Sequence, residues 1–170
     1  MRLFPFLILG YLAVGLQSGL AGHWDVGGSR PNLPLILAVF VAAAASPPAA
    51  LLGAFTLGLL QDVATLDALG LHAFAYGVMA VVIVSLRQSL DERQYPIQMM
   101  LVGVGSVLVA GVLLIVDRLL VDHAMPEARL GLGQLAGNVA YTLLLASVVL
   151  VILNKARRWM GLGGSGGYRR

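Results

Sequence analysis

The chain has 170 residues, of which 59% are hydrophobic and 11% are charged, and its formal net charge is +3. A soluble domain of this length needs more polar surface, so the composition predicts an integral-membrane protein. Cysteine is absent, which excludes disulfides and thiol chemistry, and the three histidines lie in different segments without ligand spacing, which predicts no metal site and no metal cofactor.

Six apolar segments predict the helices of a compact membrane bundle. In chain order they cover residues 3–21, 31–45, 47–64, 71–86, 97–121 and 134–153. Several are shorter than the roughly 20 residues that a helix needs to cross a hydrocarbon core of ~30 Å. The predicted fold is all-α, with about six transmembrane helices in a single domain over residues 1–160. The Gly-rich end, residues 161–170, is predicted to be a flexible tail.

The first three segments leave two alternatives open. Arg2 before an apolar core, with small residues at the end of that core, is typical of a cleavable signal peptide, but the length of the run and the later segments favour a retained helix. Between the second and third segments lie only Ser46, Pro47 and Pro48, residues suited to the N-cap and first turn of a new helix. A tight helical hairpin is favoured, while one long helix kinked at the prolines would give five spans.

The third segment carries the most informative pattern in the chain. Ala50, Ala54, Gly58 and Asp62 recur every four residues, so they lie on one face of a helix. Small residues on such a stripe allow a neighbouring backbone to approach closely in a membrane. A carboxylate at its end is costly in lipid unless it reaches water or a donor, so Asp62 marks a candidate functional site. The alternative interpretation is a helix-end acid that already lies in water.

Polar residues in the later segments predict three further features. His72, near the start of the fourth segment, is interpreted as a helix-start or interfacial residue. The stretch 87–93, RQSLDER, mixes charges and is interpreted as a solvated loop. In the sixth segment, helical spacing places Gln134, Asn138 and Tyr141 on one polar stripe.

The distribution of basic residues predicts the orientation in the membrane. With six spans and the N-terminus inside, most of the 11 Lys and Arg residues fall on the inner side. These inner residues are Arg2, Arg87, Arg93, Lys155, Arg157, Arg158, Arg169 and Arg170. The positive-inside rule then places both termini in the cytoplasm. The basic balance is therefore attributed to inner loops and anionic membrane lipid, and we expect no nucleic-acid partner.

Over residues 31–76 the order and spacing of residues resemble the rod shape-determining MreD family of bacterial inner-membrane proteins. That family typically shows a Pro-Asp-Leu-like helix start, then a Gly-x4-Gly-x3-Asp helix, then a Gly-Leu-His-Ala-x-x-Tyr opening of the next helix. The matching residues here are Pro31-Asn32-Leu33, then Gly53, Gly58 and Asp62, then Gly70-Leu71-His72-Ala73 and Tyr76. Asn32 departs from the acid that the family pattern has after Pro31.

The resemblance implies a multi-pass protein of the bacterial inner membrane that acts as a non-catalytic subunit of the elongasome. This machinery inserts peptidoglycan along the side wall and maintains rod cell shape. The implied direct partner is MreC, a bitopic periplasmic protein, with links to the cytoskeletal MreB and to the elongasome glycosyltransferase and class B penicillin-binding protein. The implied fold is similar to the substrate-binding subunits of energy-coupling-factor transporters, and we expect no cofactor.

The favoured hypothesis is that the bundle docks the transmembrane helix of MreC. Small residues would permit close approach, and polar groups would fix the register of the two proteins. The residues assigned to this functional polar spot are Ala54, Gly58, Asp62, Gly70 and His72. Because a hydrogen bond between helices in lipid contributes only ~0.6 kcal/mol on average, we expect Asp62 to specify the docking geometry more than the affinity.

Two other functions use the same polar spot. A small-molecule-binding subunit of an importer would admit its ligand between Asp62, His72 and the loop around Asp67, although Trp24 is the only Trp in the predicted outer loops that could enclose one. An enzyme would pair Asp62 with His72 as acid and base. The residues include no accompanying nucleophile, phosphate loop or metal cluster, so the predicted protein is not an enzyme.

Overall fold

The structure is a computed structural model that describes residues 2–20, 29–65, 69–90, 94–120, 132–157 and 159–162. These residues form six helices, which are α1 (Leu3–Leu20), α2 (Leu33–Ala44), α3 (Pro47–Thr65), α4 (Leu71–Leu86), α5 (Tyr95–Leu120) and α6 (Leu132–Ala156). The predicted all-α class and the number and order of helices are confirmed. The apolar pattern locates the helices well because a backbone in lipid must satisfy its own hydrogen bonds.

Within the described ranges, three helices are long and apolar enough to cross a membrane. They are Pro47–Thr65 in α3, Tyr95–Val116 in α5 and Gly133–Ala156 in α6. The apolar parts of α1, α2 and α4 are shorter, with Leu33–Ala44 the shortest. The chain is therefore a membrane protein, and six full crossings remain a prediction.

Helix α2 forms the centre of the bundle. All of its 12 residues are buried, and it packs against each of the other five helices. Its sequence, LPLILAVFVAAA, is apolar on every side, which is typical of a helix with no face toward a polar solvent. The alanines of its second half leave room for the neighbouring helices to pack closely.

The turn between α2 and α3 confirms the predicted helical hairpin over a single long helix. Ala45 ends α2 in an extended conformation, and α3 begins at Pro47 and packs back against α2. The N–H of Ala50 donates to the carbonyl of Ser46 and closes the first turn. Proline suits this position because the first N–H groups of a helix have no partner within the helix.

The two ends of the described chain meet at one end of the bundle, which we call the terminal end. The N–H of Arg2 donates to the carbonyl of Met160 at 2.9 Å. Met160 and Leu162 are buried, so the packed domain extends at least to Leu162, two residues beyond the predicted boundary. Residues 163–170 of the predicted tail lie outside the described residues. We call the opposite end, where α2 and α4 begin, the cap end.

Polar contacts join α5 to α6 on the side of the terminal end. Gln98 and Asn154 exchange two amide hydrogen bonds, at 3.2 and 2.7 Å. The Tyr95 hydroxyl donates to the carbonyl of Ser147 at 2.7 Å. These contacts fix the register of the two longest helices near the start of α5 and the end of α6.

Arg87 has a structural role that the sequence interpretation missed. Its guanidinium donates to the carbonyls of Ala42 and Ala43 at 3.1 and 2.7 Å and to that of Ala45. The last carbonyls of a helix have no partner within the helix, and a cation complements their partial negative charge. Arg87 is therefore the C-terminal cap of α2, and the interpretation of this residue as part of a solvated loop is wrong. Residues 91–93 of that loop lie outside the described residues.

We predict that Arg87→Gln lowers the free energy of unfolding by about 1–3 kcal/mol, because the part-buried carbonyls of α2 lose their donor. The measurement is the thermal unfolding of the purified chain in detergent micelles. Lys155→Gln is the matched control, since it removes one positive charge from an exposed position at the end of α6. Equal unfolding temperatures for the two variants would contradict a capping role for Arg87.

Candidate functional site

The candidate site lies where the end of α3 meets the start of α4. These two helices make the most extensive contact between any pair of described helices. The contact brings together Gly58 and Asp62 from α3 with Gly70, His72 and Ala73 from the start of α4. We call this group of five residues the α3–α4 joint.

Gly58 allows the backbone of α4 to lie directly on α3. A Cβ atom at this position would stand 2.4 Å from the Cα of Ala73 and 2.6 Å from the carbonyl oxygen of His72. Neither neighbour is a flexible side chain, so only glycine fits unless the two helices separate. The close approach predicted from the small-residue stripe is therefore confirmed at Gly58, and the approaching helix belongs to the same chain.

Asp62 lies one helical turn after Gly58 and caps the first turn of α4. One carboxylate oxygen accepts from the N–H of His72 at 2.8 Å, and the other accepts from Gly70 and Ala73 at 2.9 and 3.3 Å. Asp62 is completely buried, so the alternative of an acid already in water is wrong. The cost of a buried carboxylate is offset by these donors and by the partial positive charge at the start of α4.

The cap comes from another helix because α4 has no capping side chain of its own. The N-cap of α4 is Gly70, with φ at 97° and no side chain to accept a hydrogen bond. Side chains rarely adopt this left-handed backbone conformation, so a Ser, Thr or Asp is disfavoured there. Asp62 of α3 therefore supplies the acceptor oxygens that the side chain of an N-cap residue normally supplies within its own helix.

His72 completes the joint on the side of α4. Its Nδ1 lies 2.9 Å from a carboxylate oxygen of Asp62, within hydrogen-bond distance. The imidazole is buried and stands edge-on to the ring of Tyr76. The Asp62–His72 pair considered for acid–base chemistry is thus formed, but both oxygens of the carboxylate also hold backbone N–H groups. The interpretation of His72 as a helix-start residue is confirmed.

Tyr76 connects the joint to the start of the central helix. Its hydroxyl donates to the side-chain oxygen of Asn32 at 2.9 Å, and the same oxygen accepts from the N–H of Leu35 at 2.9 Å. Asn32 is the N-cap of α2. The amide oxygen fills the capping position where the family pattern has an acid, because capping needs an acceptor and does not require a charge.

The extended segment before α2 is held by side chains from two other helices. The N–H groups of Arg30 and Asn32 donate to Asn138 and Thr142 of α6, at 2.8 and 3.1 Å. The two donors are two extended residues apart, which is about 6.6 Å, and the two acceptors are four helical residues apart, which is about 6 Å. The spacing of the donors therefore matches the spacing of the acceptors. The N–H of Leu33 donates to Gln17 of α1 at 2.7 Å.

The polar stripe predicted on α6 is partly confirmed by these contacts. Asn138, a member of the stripe, accepts from Arg30, and the second acceptor, one turn further along the helix, is Thr142, which the stripe did not include. Thr142 was missed because an isolated threonine in an apolar helix carries no signal, since its hydroxyl commonly bonds to its own helix. The acceptor role of Gln17 was missed because a single glutamine in an apolar helix also carries no signal.

The predicted stripe is internal to the bundle. Ala50, Ala54 and Asp62 are all completely buried, and the backbone of α4 covers Gly58. Any effect of these residues on a partner is therefore indirect and is exerted through the packing of the bundle. That they contribute to partner binding remains a prediction.

Metal and ligand chemistry find no further residues in the described part of the chain. No group of three or more His, Cys, Asp or Glu side chains that could hold a metal ion occurs among the described residues. Asp67 and Trp24, which the importer hypothesis places near its ligand, lie outside the described residues. The residues of the α3–α4 joint contact one another and hold α4 in position on α3.

Fold and site together define a helical membrane protein whose buried acid serves as a cap between two helices. The model of the family described as rod shape-determining protein MreD matches residues 1–155. The chain belongs to this family, which extends the resemblance seen over residues 31–76 to all six helices. No curated protein and no solved structure matches the chain. The likeness to energy-coupling-factor subunits therefore remains a prediction, and the importer alternative has no support from these comparisons.

Proposed function

We propose that this protein is a non-catalytic, multi-pass subunit of the elongasome in the bacterial inner membrane. In this role it docks MreC directly and so supports side-wall peptidoglycan synthesis and rod shape. The observation that carries the proposal is the family match over residues 1–155. Contacts with MreB, the glycosyltransferase and the class B penicillin-binding protein would then be made directly or through MreC.

The proposed docking surface is the side of α3 and α4 that faces away from α2. Both helices pack on α2, so their exposed apolar residues point to the outside of the bundle. These residues include Phe55, Leu59, Val63 and Phe74, which are 38–63% exposed. The α3–α4 joint fixes the spacing of this surface. Helices associate in lipid mainly by van der Waals packing, so the shape of such a surface determines which partner helix fits.

The proposed orientation places the terminal end in the cytoplasm. Among the described residues, Arg2, Arg87, Lys155 and Arg157 belong to the terminal end, and Arg30 and Arg118 lie at the cap end. An excess of Lys and Arg marks the cytoplasmic side. The cap end, which holds the α3–α4 joint, would then face the periplasm, where the soluble part of a bitopic partner lies. Half-exposed Trp159 near the basic residues fits contact with the membrane interface.

The proposal is tested by co-expression with MreC and detergent-stable co-purification. Leu59→Trp enlarges a side chain on the proposed surface, and we expect it to reduce MreC recovery several-fold because a helix cannot pack closely against the added ring. Val148→Trp on α6 is the matched control, since Val148 is 60% exposed and lies on a different helix. Thermal unfolding of each variant shows separately whether the bundle is intact.

Two results would change the proposal. Loss of MreC from Val148→Trp with retention by Leu59→Trp would place the docking surface on α6. Absence of MreC from the folded wild-type preparation would remove direct docking from the proposed function altogether.

A further inference from the structure

The first and last described helices meet only at their ends. Helix α1 packs on α2 and α3, whereas α6 packs on α2 and α5, and the described parts of α1 and α6 do not pack on each other. They are joined at the terminal end, where the N–H of Arg2 donates to the carbonyl of Met160 at 2.9 Å. We call this place, formed by the start of α1 and the turn after α6, the α1–α6 corner.

The turn after α6 holds the side chain of Arg2 in place. The N–H of Leu162 donates to the carbonyl of Arg157 at 3.0 Å and closes the turn. Within the turn, Gly161 has a φ of 69°, a left-handed conformation that suits glycine. A Cβ atom at Gly161 would stand 3.2 Å from Cγ of Arg2. The apolar stem of Arg2 therefore lies across this glycine, and its guanidinium extends beyond the turn.

The α1–α6 corner is basic. The side chains of Arg2 and Lys155 are exposed, and neither forms an ion pair with a described residue. Lys155 lies five residues before Met160, a helical rise of about 7.5 Å, so the two long side chains can reach one anion. No Asp or Glu occurs in residues 1–24 or 128–170, so the chain on either side of the corner adds no negative charge. The charge of the corner therefore suits an anionic ligand.

The two cations border surfaces that face lipid. Phe4, two residues after Arg2, is 76% exposed, and Ile152, one turn before Lys155, is 59% exposed. Exposed apolar side chains on the helices of a membrane protein lie against lipid tails. Trp159 is 48% exposed, and tryptophan is enriched at the level of the lipid headgroups. The cations of the corner are therefore at headgroup level, where the abundant anion is lipid phosphate.

We infer that the α1–α6 corner binds an anionic phospholipid whose phosphate is held by Arg2 and Lys155. The guanidinium donates two parallel hydrogen bonds to phosphate oxygens, and the ammonium adds a point charge. The acyl chains lie along the seam where α1 and α6 do not pack on each other. Phe4 and Ile152 favour a lipid over an acidic soluble protein, because a lipid combines an anion with tails that cover apolar side chains. Docking of MreC is not required for this site.

The test compares two lipids that have the same acyl chains and different headgroup charges. The purified full-length chain in detergent micelles is titrated with phosphatidylglycerol or phosphatidylcholine, and its thermal unfolding is measured. We expect phosphatidylglycerol to raise the unfolding temperature about 4 °C more than phosphatidylcholine does, because two cations near an anionic headgroup stabilise the folded, lipid-bound chain. Native mass spectrometry measures how many lipid molecules stay bound.

Single charge removals locate the site. Arg2→Gln and Lys155→Gln should each lose about half of the difference between the two lipids, since the two cations contribute similarly. The double variant should lose nearly all of it and retain several-fold less phosphatidylglycerol. Arg30→Gln is the matched control, because it removes the same charge from an exposed position at the cap end and should keep the full difference. Unfolding in detergent alone shows that each variant is folded.

Four results would overturn the assignment. Equal shifts from the two lipids in the wild type would mean that the chain has no site for an anionic lipid. An equal loss in Arg30→Gln would mean that net charge, and not the corner, attracts the lipid. The same shift from inorganic phosphate would assign the corner to a free anion. Binding of soluble polyglutamate, without retention of phosphatidylglycerol, would assign it to an acidic protein.

Discussion

Gly58→Ala should destabilise the bundle by about 3 kcal/mol, because the added methyl group overpacks a contact that cannot relax. The new Cβ atom would stand 2.4 Å from the Cα of Ala73, and the obstacle is the backbone of α4. The two helices must separate by about 1 Å or more to reach ordinary carbon–carbon distances. That movement also lengthens the hydrogen bonds that the N–H groups at the start of α4 donate to Asp62.

Gly77→Ala is the matched control for this prediction. A Cβ atom at Gly77 has nothing within 4 Å, and alanine is favoured over glycine in a helix by about 1 kcal/mol. The two variants make the same chemical change in neighbouring helices, and we expect opposite signs of the change in unfolding temperature in detergent micelles. A stabilised Gly58→Ala protein would show that α4 does not lie on Gly58.

Much of the fold was predictable because, in a membrane protein, the apolar segments of the sequence correspond to the helices. All six helices were located from apolar segments, and α4 was placed with both of its ends correct. Ser46, Pro47 and Pro48 marked the hairpin between α2 and α3 because proline starts a helix more readily than it continues one. The central position of α2 was not predicted, although α2 is the most apolar of the six helices, because the segments were assigned from length and spacing and not ranked by how apolar they are.

The candidate site was predicted as a set of residues but not as an arrangement. The stripe containing Gly58 and Asp62 correctly indicated a close helix contact, and a functional role of the acid remains a prediction. It could not show that the contact is with α4, because helical spacing defines a face and does not identify the neighbour. The sequence did carry one signal that the neighbour is α4. Gly70 leaves α4 without a capping side chain, and Asp62 is the acid near the end of the preceding helix. Arg87 was misread because its acceptors are backbone carbonyls, which a side-chain pattern does not reveal.

Removing the carboxylate of Asp62 should have an effect as large as overpacking Gly58. In Asp62→Ala the N–H groups of Gly70, His72 and Ala73 lose their acceptor in a buried site. Each unsatisfied buried donor costs about 1–3 kcal/mol, so we expect a loss of about 3 kcal/mol or more. Asp62→Asn keeps one acceptor oxygen and should lie between Asp62→Ala and the wild type.

Hydrogen exchange measured by mass spectrometry distinguishes this capping role from a general loss of packing. If Asp62 caps α4, exchange in Asp62→Asn should rise first in the peptide that covers residues 69–74, while α5 and α6 stay protected. Ser85→Ala is the control, because the Ser85 hydroxyl bonds only within α4 and is exposed. Uniform exchange across all helices would contradict a local cap.

Because the joint sets the spacing of Leu59 and Phe74, a folded Asp62→Asn protein that still recovers MreC fully would separate stability of the joint from docking.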